Sequence, residues 1–474
     1  MLCLFFTNVA FLQIPAYVAL AIIAIWGLYI TIRNIVKYKA YKKMEFGIWA
    51  AAFLAMNFIT ALVHITDNFL INMLFILFMC ICFFVFYGAH TEPDNNIKHE
   101  IYELARIFLY MITLMQVVGI FCLFMDISYR NEWIKLIIYE NRYTGLFINP
   151  NLSGFSSVVV VFSVHILSIH NFDSKTSEMS KISRIWLASG LFISIITLFL
   201  SDSNASLVLF LGYVIVFVIC KFLSSRERFN RKQFVLKFIS TVLAGIVIIF
   251  CTFFMRTICQ IGVAAIINNA NQISVGDSDS ILPPTENDEV TFEHENENVD
   301  SGRLTLWSQA LTIYSHYPVE GIGKGNILLY SYDYFEEGMH FSNLYSGDFA
   351  SLFAVFTTDI HNAYLTILLC SGVIGFLLFM AFAFRNGFYM TRFLYNAKDK
   401  LQNDIFPCMF SFVVAYLGFA LFEKAILYDI SFMVIIFWMI LGQMACYNIR
   451  EKEEHNLKDD NNIKFKESIK KTLL

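Results

Sequence analysis

The chain has 474 residues, of which 57% are hydrophobic, 17% aromatic and only 15% charged, and its mean hydropathy is +0.60. A soluble protein of this length needs a far more polar surface, so these values exclude an ordinary soluble domain and indicate an integral membrane protein. The net charge of −4 is small and gives no reason to expect a nucleic-acid partner.

Apolar runs long enough to cross a bilayer as a helix, about 20 residues each, recur along the chain. They predict an all-α polytopic membrane protein with about 11 transmembrane helices. The predicted spans are 8–32, 46–64, 69–88, 103–125, 152–171, 184–200, 205–224, 236–257, 361–384, 404–422 and 430–447. The first run lacks a basic start and a small-residue cleavage site, so we expect a retained helix rather than a signal peptide.

Lys and Arg cluster in four of the connections and in the C-terminal segment. With eleven spans all five basic segments fall on one side, which the positive-inside rule makes cytoplasmic. The N-terminus is then outside and the C-terminus inside. The predicted divisions are spans 1–8 in 1–257, one large extracytoplasmic loop in 258–360, spans 9–11 in 361–447 and a charged cytoplasmic tail in 448–474.

The large loop has two parts of different composition. Residues 274–300 are acidic, contain Pro-Pro and predict a flexible, solvated insertion. Its Asp277-x-Asp279 pair resembles the metal-binding motif of nucleotide-sugar transferases, but we interpret it as solvated loop. Residues 301–326 return to helical spacing. The ten cysteines lie mostly in apolar runs without metal-ligand spacing, so we predict buried thiols and no metal site.

Three polar segments lie on the predicted outer side. In the first, 141–151, Gly145 and Pro150 break regular structure and Asn151 can cap the next helix. Arg142 is less easily explained by structure, because a guanidinium at a membrane boundary needs an anionic partner. The second segment, Ser201-Asp202-Ser203-Asn204, is interpreted as a helix–helix turn, since these residue types favour turns.

The third segment begins with Gly302-Arg303. Leu306, Ala310 and Ile313 form one face of a predicted helix that carries Trp307 one turn after Arg303 and that Pro318 ends. The Gly-rich run 321–326, which contains Gly323 and Lys324, can expose backbone N–H groups beside a lysine, as anion-binding concavities do.

His361-Asn362 follows where the chain re-enters the membrane. A histidine can move a proton near neutral pH, although a capping role for this pair is the plainer alternative. Two arginines, a lysine, Gly-supplied amides and a histidine on one face suggest a site for an anionic, lipid-bound substrate. A lipid diphosphate arrives already activated and needs no nucleotide supply outside the cell.

These segments together resemble the O-antigen ligase and polysaccharide polymerase family (the Wzy_C type). The motifs are RxxG…NPN at Arg142–Asn151, GRxxxW…P…GxGxGN at Gly302–Asn326 and HNxYL…GxxG at His361–Gly375. The resemblance implies a GT-C-like membrane glycosyltransferase. It transfers oligosaccharide from undecaprenyl diphosphate without metal or other cofactor, on the extracytoplasmic face of a bacterial cytoplasmic membrane. A flippase and a chain-length regulator are candidate partners.

By this resemblance Arg303 holds the diphosphate and His361 binds or deprotonates the acceptor hydroxyl. We predict these two as catalytic residues and add Arg142 and Lys324 as further diphosphate ligands. The remaining predicted substrate-binding residues are Asn151, Asn362, Trp307, Gly323 and Tyr364. The family often has Ser-Arg where this chain has Ser203-Asn204, so the chain lacks one presumed diphosphate ligand, which Arg142 or Lys324 would replace.

The leading hypothesis is a polymerase that joins lipid-linked repeat units into surface polysaccharide. A ligase that transfers glycan to a lipid or protein acceptor is the near alternative. A lipid-oligosaccharide transporter is the alternative from another class. It should carry charges near mid-span and show repeat symmetry, whereas here the polar residues gather at one face. A non-catalytic scaffold would leave the arginines and His361 without a role.

Overall fold

The computed structural model describes residues 5–6, 9, 12–91, 97–125, 127, 129–130, 135–139, 141–172, 182–224, 231–275, 292, 302–335, 358–396 and 404–447. The charged tail 448–474 and the Asp277-x-Asp279 pair lie outside these residues. So does most of the acidic insertion, of which 274–275, at the end of a helix, and Phe292 are described.

The described chain is mostly helical, as predicted. Its first helices are α1 (Gln13–Val36), α2 (Ala40–Lys43), α3 (Gly47–Val63), α4 (Phe69–Ile81) and α5 (Ile97–Phe124), with a π-helical turn at Cys82–Phe86 and a 3-10 turn at Tyr87–Thr91 after α4. The following helices are α6 (Pro150–Phe172), α7 (Arg184–Leu200), α8 (Asn204–Ser224) and α9 (Arg231–Val275). The last are α10 (Arg303–His316), α11 (Ile327–Tyr334), α12 (Ala363–Asn396), α13 (Phe406–Phe419) and α14 (Phe432–Tyr447).

Among the residues that the structure describes, seven helical segments are long and apolar enough to cross a membrane by length and composition, and the chain is a multi-pass membrane protein. They are α1, α4 together with the turns that continue it to Ala89, α5, α6, α8, α9 and α12. Four shorter apolar helices, α3, α7, α13 and α14, coincide with the other four predicted spans. Each of the eleven predicted spans thus overlaps a helix, while the number that crosses the bilayer remains a prediction.

The protein differs from an all-helical chain in the segment before α6. Here β1 (Tyr129–Arg130), β2 (Lys135–Tyr139) and β3 (Arg142–Gly145) form an antiparallel sheet in that order. Asn141, directly before β3, has a left-handed φ of 54°, a conformation that hairpin turns favour. The hairpin places Arg142 opposite Tyr139.

Helix α9 is longer than the span predicted at 236–257, since it continues to Val275. The residues after 257 are apolar or uncharged, and no proline interrupts them before Val275. A second apolar cluster gives this end of α9 something to pack against: Ile267 is buried with Leu123, Tyr143, Leu200 and Phe292. The first residues of the large loop predicted from 258 are thus helical, while the position of the loop relative to the membrane stays a prediction.

Helix α12 is interrupted at Gly372, which has φ 64° and ψ −176°. The break leaves backbone groups of α12 without helical partners, and the segment after α10 supplies them. Ile322 N donates to Leu369 O at 3.0 Å, Gly323 N donates to Cys370 O at 2.9 Å, and Pro318 O accepts from Val373 N at 2.8 Å. Non-helical backbone within a spanning segment is tolerated only when it is sealed in this way.

Candidate active site

Four helices begin at the same end of the bundle, and the predicted site residues gather there. Helices α6, α8, α10 and α12 start at Pro150, Asn204, Arg303 and Ala363. Each helix N-terminus carries partial positive charge from its aligned peptide dipoles and its unpaired N–H groups. Their convergence favours an anionic ligand at this end of the protein.

Glu423 lies at the centre of the polar cluster. One oxygen, Oε1, accepts a 2.8 Å hydrogen bond from Asn151 Nδ2 and lies 3.8 Å from Nη2 of Arg303. The other, Oε2, lies 3.5 Å from Nδ1 of His361. The Glu423 side chain is only 7% exposed. One buried carboxylate thus joins the two residues predicted as catalytic, and truncating it would leave these cationic partners without their shared counter-charge.

Arg142 enters the same cluster through Asn151. Its Nη2 donates to Asn151 Oδ1 at 2.8 Å, and its Nε donates to the Ser201 carbonyl at 3.1 Å. The structure therefore brings Arg142, Asn151 and Arg303 together around Glu423, although they come from distant parts of the chain. The sequence predicts that Asn151 can cap α6. The structure instead has Asn149 as the cap, since its Oδ1 accepts from Leu152 N.

His361 is held in an uncommon conformation by its neighbours. Its φ is 48°, in the left-handed region, and Asp359 Oδ1 accepts a hydrogen bond from its backbone N at 2.8 Å. The ring nitrogen Nδ1 lies 3.1 Å from Asp359 Oδ2. Such strain persists only where the surroundings impose it, and it is common at functional sites. The side chain is 38% exposed, so a substrate can reach it.

The two carboxylates set the protonation of His361. Burial alone would lower the pKa of His361, but Asp359 first, and then Glu423, raise it above its ordinary value against the opposing charge of Arg303. Burial would likewise raise the pKa of Asp359, yet His361, Lys424 and Lys324 together lower it below its ordinary value. A histidine facing carboxylates through Nδ1 is oriented with Nε2 as the proton acceptor.

Arg303 is anchored by the segment around it. Its guanidinium lies 5.9 Å from the ring centroid of Phe422, and α10 buries Leu306, Ala310 and Ile313, the face predicted from the sequence. Trp307 Nε1 donates to Ile360 O at 2.9 Å and so ties α10 to the segment before α12. A cation at a helix N-terminus is repelled by the positive end of the helix dipole. The position of Arg303 is therefore explained by an anionic partner and not by the stability of α10.

Asn362 and Tyr364 support the backbone around His361. Asn362 Oδ1 accepts from the N–H groups of Tyr364 and Leu365 at 3.0 Å and caps α12. Tyr364 OH donates to Leu417 O at 2.8 Å. The capping alternative thus describes Asn362, whereas His361 itself points its ring at carboxylates.

The Gly-rich run does not form the anion-binding concavity predicted for it. The amides of Ile322 and Gly323 bond to α12, and Gly325 N donates to Asn72 Oδ1 at 2.7 Å. Lys324 is 2% exposed and its Nζ donates to the Thr358 carbonyl. Burial first, and then Lys424, lower the pKa of Lys324 to about 8. Neither Gly323 nor Lys324 is presented to a ligand, because the Gly323 amide bonds to the interrupted helix and the Lys324 ammonium is buried against Thr358.

Four charged residues of the cluster were not identified from the sequence. They are Asp359, Glu423, Lys424 and Asp429. Lys424 Nζ lies 3.4 Å from Asp429 Oδ1 and 4.0 Å from Asp359 Oδ2. For Glu423, Lys424 and Asp429 the sequence did offer a signal, because Phe422–Asp429 places three charges in a short connection between apolar helices. Ionisable residues at a membrane boundary are usually functional.

The turn between α7 and α8 also carries charge. Arg256 of α9 pairs with Asp202 Oδ1 through Nη2 and donates from Nη1 to Asn204 Oδ1 at 3.1 Å. The family resemblance expects an arginine at the position of Asn204. Arg256 of α9 lies beside that position. The turn interpreted from these residue types thus also contains an ion pair at Asp202.

Asp359, His361 and Glu423 could also hold a metal ion, since one ligand atom from each lies within 4.8 Å of the others. Arg303 and Lys424 lie against the same carboxylates. These fixed cations already neutralise them and oppose a bound divalent ion. The residues therefore fit a proton-transfer site better than a metal site.

Residues 189–380 match the family model Wzy_C, described as O-antigen ligase. Residues 189–380 thus form a Wzy_C-type domain. The match includes Asp202, Arg256, Arg303 and His361, while Arg142, Asn151 and Glu423 lie outside it. It confirms the family suspected from the motifs and gives no support to the transporter alternative. No curated protein matches the chain.

Proposed function

We propose that this Wzy_C protein is a metal-independent glycosyltransferase that joins lipid-diphosphate-linked oligosaccharide units into a surface polysaccharide. The observation that carries the proposal is the joint placement of His361 and Arg303 on the buried carboxylate Glu423. A proton acceptor and a phosphate ligand within one cluster are what displacement of a diphosphate by a hydroxyl requires.

The proposed step is a single displacement at the anomeric carbon of the donor. The acceptor hydroxyl oxygen forms the new C–O bond while the bond from that carbon to the diphosphate oxygen breaks. Nε2 of His361 takes the hydroxyl proton, and Asp359 and Glu423 stabilise the resulting imidazolium. Arg303, aided by Arg142 and the helix N-termini, stabilises the negative charge that grows on the lipid diphosphate.

We place the cluster on the extracytoplasmic face of a bacterial cytoplasmic membrane, following the predicted topology. The donor is then an undecaprenyl-diphosphate-linked oligosaccharide carried within the bilayer. Transfer to a lipid or protein acceptor, a ligase reaction, uses the same cluster, because the chemistry at the anomeric carbon is unchanged. Acceptor choice separates the two activities.

The deciding measurement is transfer by the purified protein in lipid nanodiscs supplied only with lipid-diphosphate-linked oligosaccharide. We expect a ladder of lengthened glycans, undiminished by EDTA, and no ladder from the double variant His361→Ala/Arg303→Ala. A single transfer that appears only after adding a lipid or protein acceptor would identify a ligase instead. Absence of both products from correctly folded protein would refute the proposal, and loss of activity with EDTA would refute metal independence.

The pH dependence of transfer should depend on Glu423. Neutral His361 is the proton acceptor, so the rate should fall as the pH drops through the raised pKa of His361. Glu423→Gln removes one of the two carboxylates that raise this pKa, and the acidic limb of kcat/KM against pH should therefore move to lower pH.

The matched control for Glu423→Gln is Glu320→Gln, at a residue whose backbone carbonyl is bonded to Thr60 and whose carboxylate lies outside the cluster. This variant should leave the profile in place. A profile that does not move in Glu423→Gln, or that moves to higher pH, would exclude Glu423 as the partner of His361.

A further inference from the structure

Two side chains from an earlier part of the chain hold the backbone that precedes α12. Lys324 Nζ donates to the Thr358 carbonyl, and Trp307 Nε1 donates to the Ile360 carbonyl at 2.9 Å. Asp359 lies between these two residues in the chain, so both of its neighbours are fixed by a hydrogen bond. We call Lys324 and Trp307, bonded to these two carbonyls, the clamp.

Asp359 is the residue through which the clamp can reach His361. Its Oδ1 accepts from the His361 N–H at 2.8 Å, and its Oδ2 lies 3.1 Å from the ring atom Nδ1. His361 keeps a left-handed φ of 48°, and such a conformation persists only where its surroundings impose it. The contact between Asp359 and His361 therefore depends on how firmly the backbone of Asp359 is held.

A buried lysine is a costly group with which to satisfy one carbonyl. Lys324 is 2% exposed, and its ammonium lies 5.9 Å from the ring centroid of Phe75. Burial first, and then Lys424, lower the pKa of Lys324 to about 8. A neutral amide would bind the same carbonyl without burying a charge. The charge has a second effect, since Lys324 is one of the cations that lower the pKa of Asp359.

The side chains of the clamp project from fixed parts of the structure. Gly323 N donates to Cys370 O at 2.9 Å and Gly325 N donates to Asn72 Oδ1 at 2.7 Å, so the backbone on both sides of Lys324 is held. Trp307 lies in the first half of α10, whose apolar face is buried. Residues can position a catalytic side chain only when they are fixed themselves, and both members of the clamp meet this condition.

We propose that Lys324 and Trp307 are positioning residues, which hold Asp359 in contact with His361 by binding the carbonyls on either side of it. The sequence predicted both as substrate ligands. In the clamp their Nζ and Nε1 atoms donate to the protein instead, and they act on the reaction through His361. The inference rests on the proposed function for the role of His361 in transfer, whereas the clamp itself is tested without turnover.

The first test measures how fast diethyl pyrocarbonate modifies the His361 ring, by mass spectrometry of peptides from the full-length protein in nanodiscs. His361 is 38% exposed, so the reagent can reach it. Lys324→Met and Trp307→Phe should each raise this rate about threefold or more, because release from Asp359 leaves both ring nitrogens open to the reagent. The rate at His316, which is exposed, serves as the reference in every sample.

Two control variants change the same residue types elsewhere. Lys232→Met removes an exposed lysine of α9, and Trp186→Phe changes a tryptophan of α7 that is 45% exposed, so neither should alter the rate at His361. His64 reports loosening of the fold, since it is 6% exposed and its Nε2 lies 3.0 Å from Gly321 O. An unchanged rate at His361 in either clamp variant, or an equal rise at His64, would overturn the proposal.

The second test is the kinetics of transfer. Each clamp variant should lower kcat by about tenfold to a hundredfold, as misplacement of a catalytic group by about 1 Å can do, and should leave the donor KM within about twofold. The double variant Lys324→Met/Trp307→Phe should be little slower than the slower single variant, because both act through Asp359. A raised donor KM with unchanged kcat, or effects that multiply in the double variant, would overturn the clamp. If the unmodified protein transferred no glycan, the proposed function would fail, while the modification rates would still decide the clamp.

Discussion

His361→Ala is expected to lower the transfer rate by a factor of about 100 to 10,000, the range that general base catalysis contributes. The reason is the loss of the group that accepts the hydroxyl proton, while donor binding through Arg303 remains. The rate should be measured in nanodiscs per mole of folded protein. The donor KM should change little, because His361 acts on the acceptor.

His361→Gln and His316→Ala complete this experiment. Glutamine keeps a polar side chain but cannot take a proton at neutral pH, so His361→Gln should be as inactive as the alanine variant. His316 is an exposed histidine at the end of α10, stacked on Tyr334, and its replacement should leave the rate within twofold. Substantial activity in His361→Gln would rule out proton transfer by His361 and leave it only a binding role.

Gly372→Ala is expected to destabilise the protein by about 3 kcal/mol or more, combining backbone strain with a steric clash. Its φ and ψ fall in a region that essentially only glycine occupies. A Cβ at this position would lie 2.1 Å from the carbonyl oxygen of Val319. The backbone on that side is itself fixed by Gly321, whose own Cβ would lie 2.4 Å from Gly372 N.

The measurement is the thermal unfolding midpoint in detergent together with the yield of folded protein. Gly245→Ala is the matched control, since Gly245 lies in α9 with nothing within 4 Å of an added Cβ, and alanine should stabilise that helix by about 0.5–1 kcal/mol. If Gly372→Ala unfolded at the same temperature as Gly245→Ala, the interruption of α12 would not exist as described.

The pattern of apolar residues was sufficient to locate the helices, because a segment in lipid must satisfy its own backbone hydrogen bonds and must be apolar throughout. It was insufficient where tertiary contacts set the boundaries. Helix α9 extends to Val275 because Ile267 finds an apolar cluster, and α12 is interrupted because the Gly-rich run completes its hydrogen bonds. Neither partner is near in sequence. The β2–β3 hairpin had a local signal, Asn141 between β-prone residues, which the helical pattern around it obscured.

The sequence alone determined the class of protein, the approximate helices, the family and the two residues at the centre of the proposed chemistry. These properties follow from composition and from short motifs, whose residues are close along the chain and therefore also close in space. The tertiary structure decided what surrounds those residues. Glu423 and Asp359 face His361, Arg142 arrives through Asn151, Arg256 pairs with Asp202, and Lys324 is buried against Thr358. A charge is identified as a partner only by its distance in three dimensions, since Coulomb attraction depends on separation and burial and not on position in the chain.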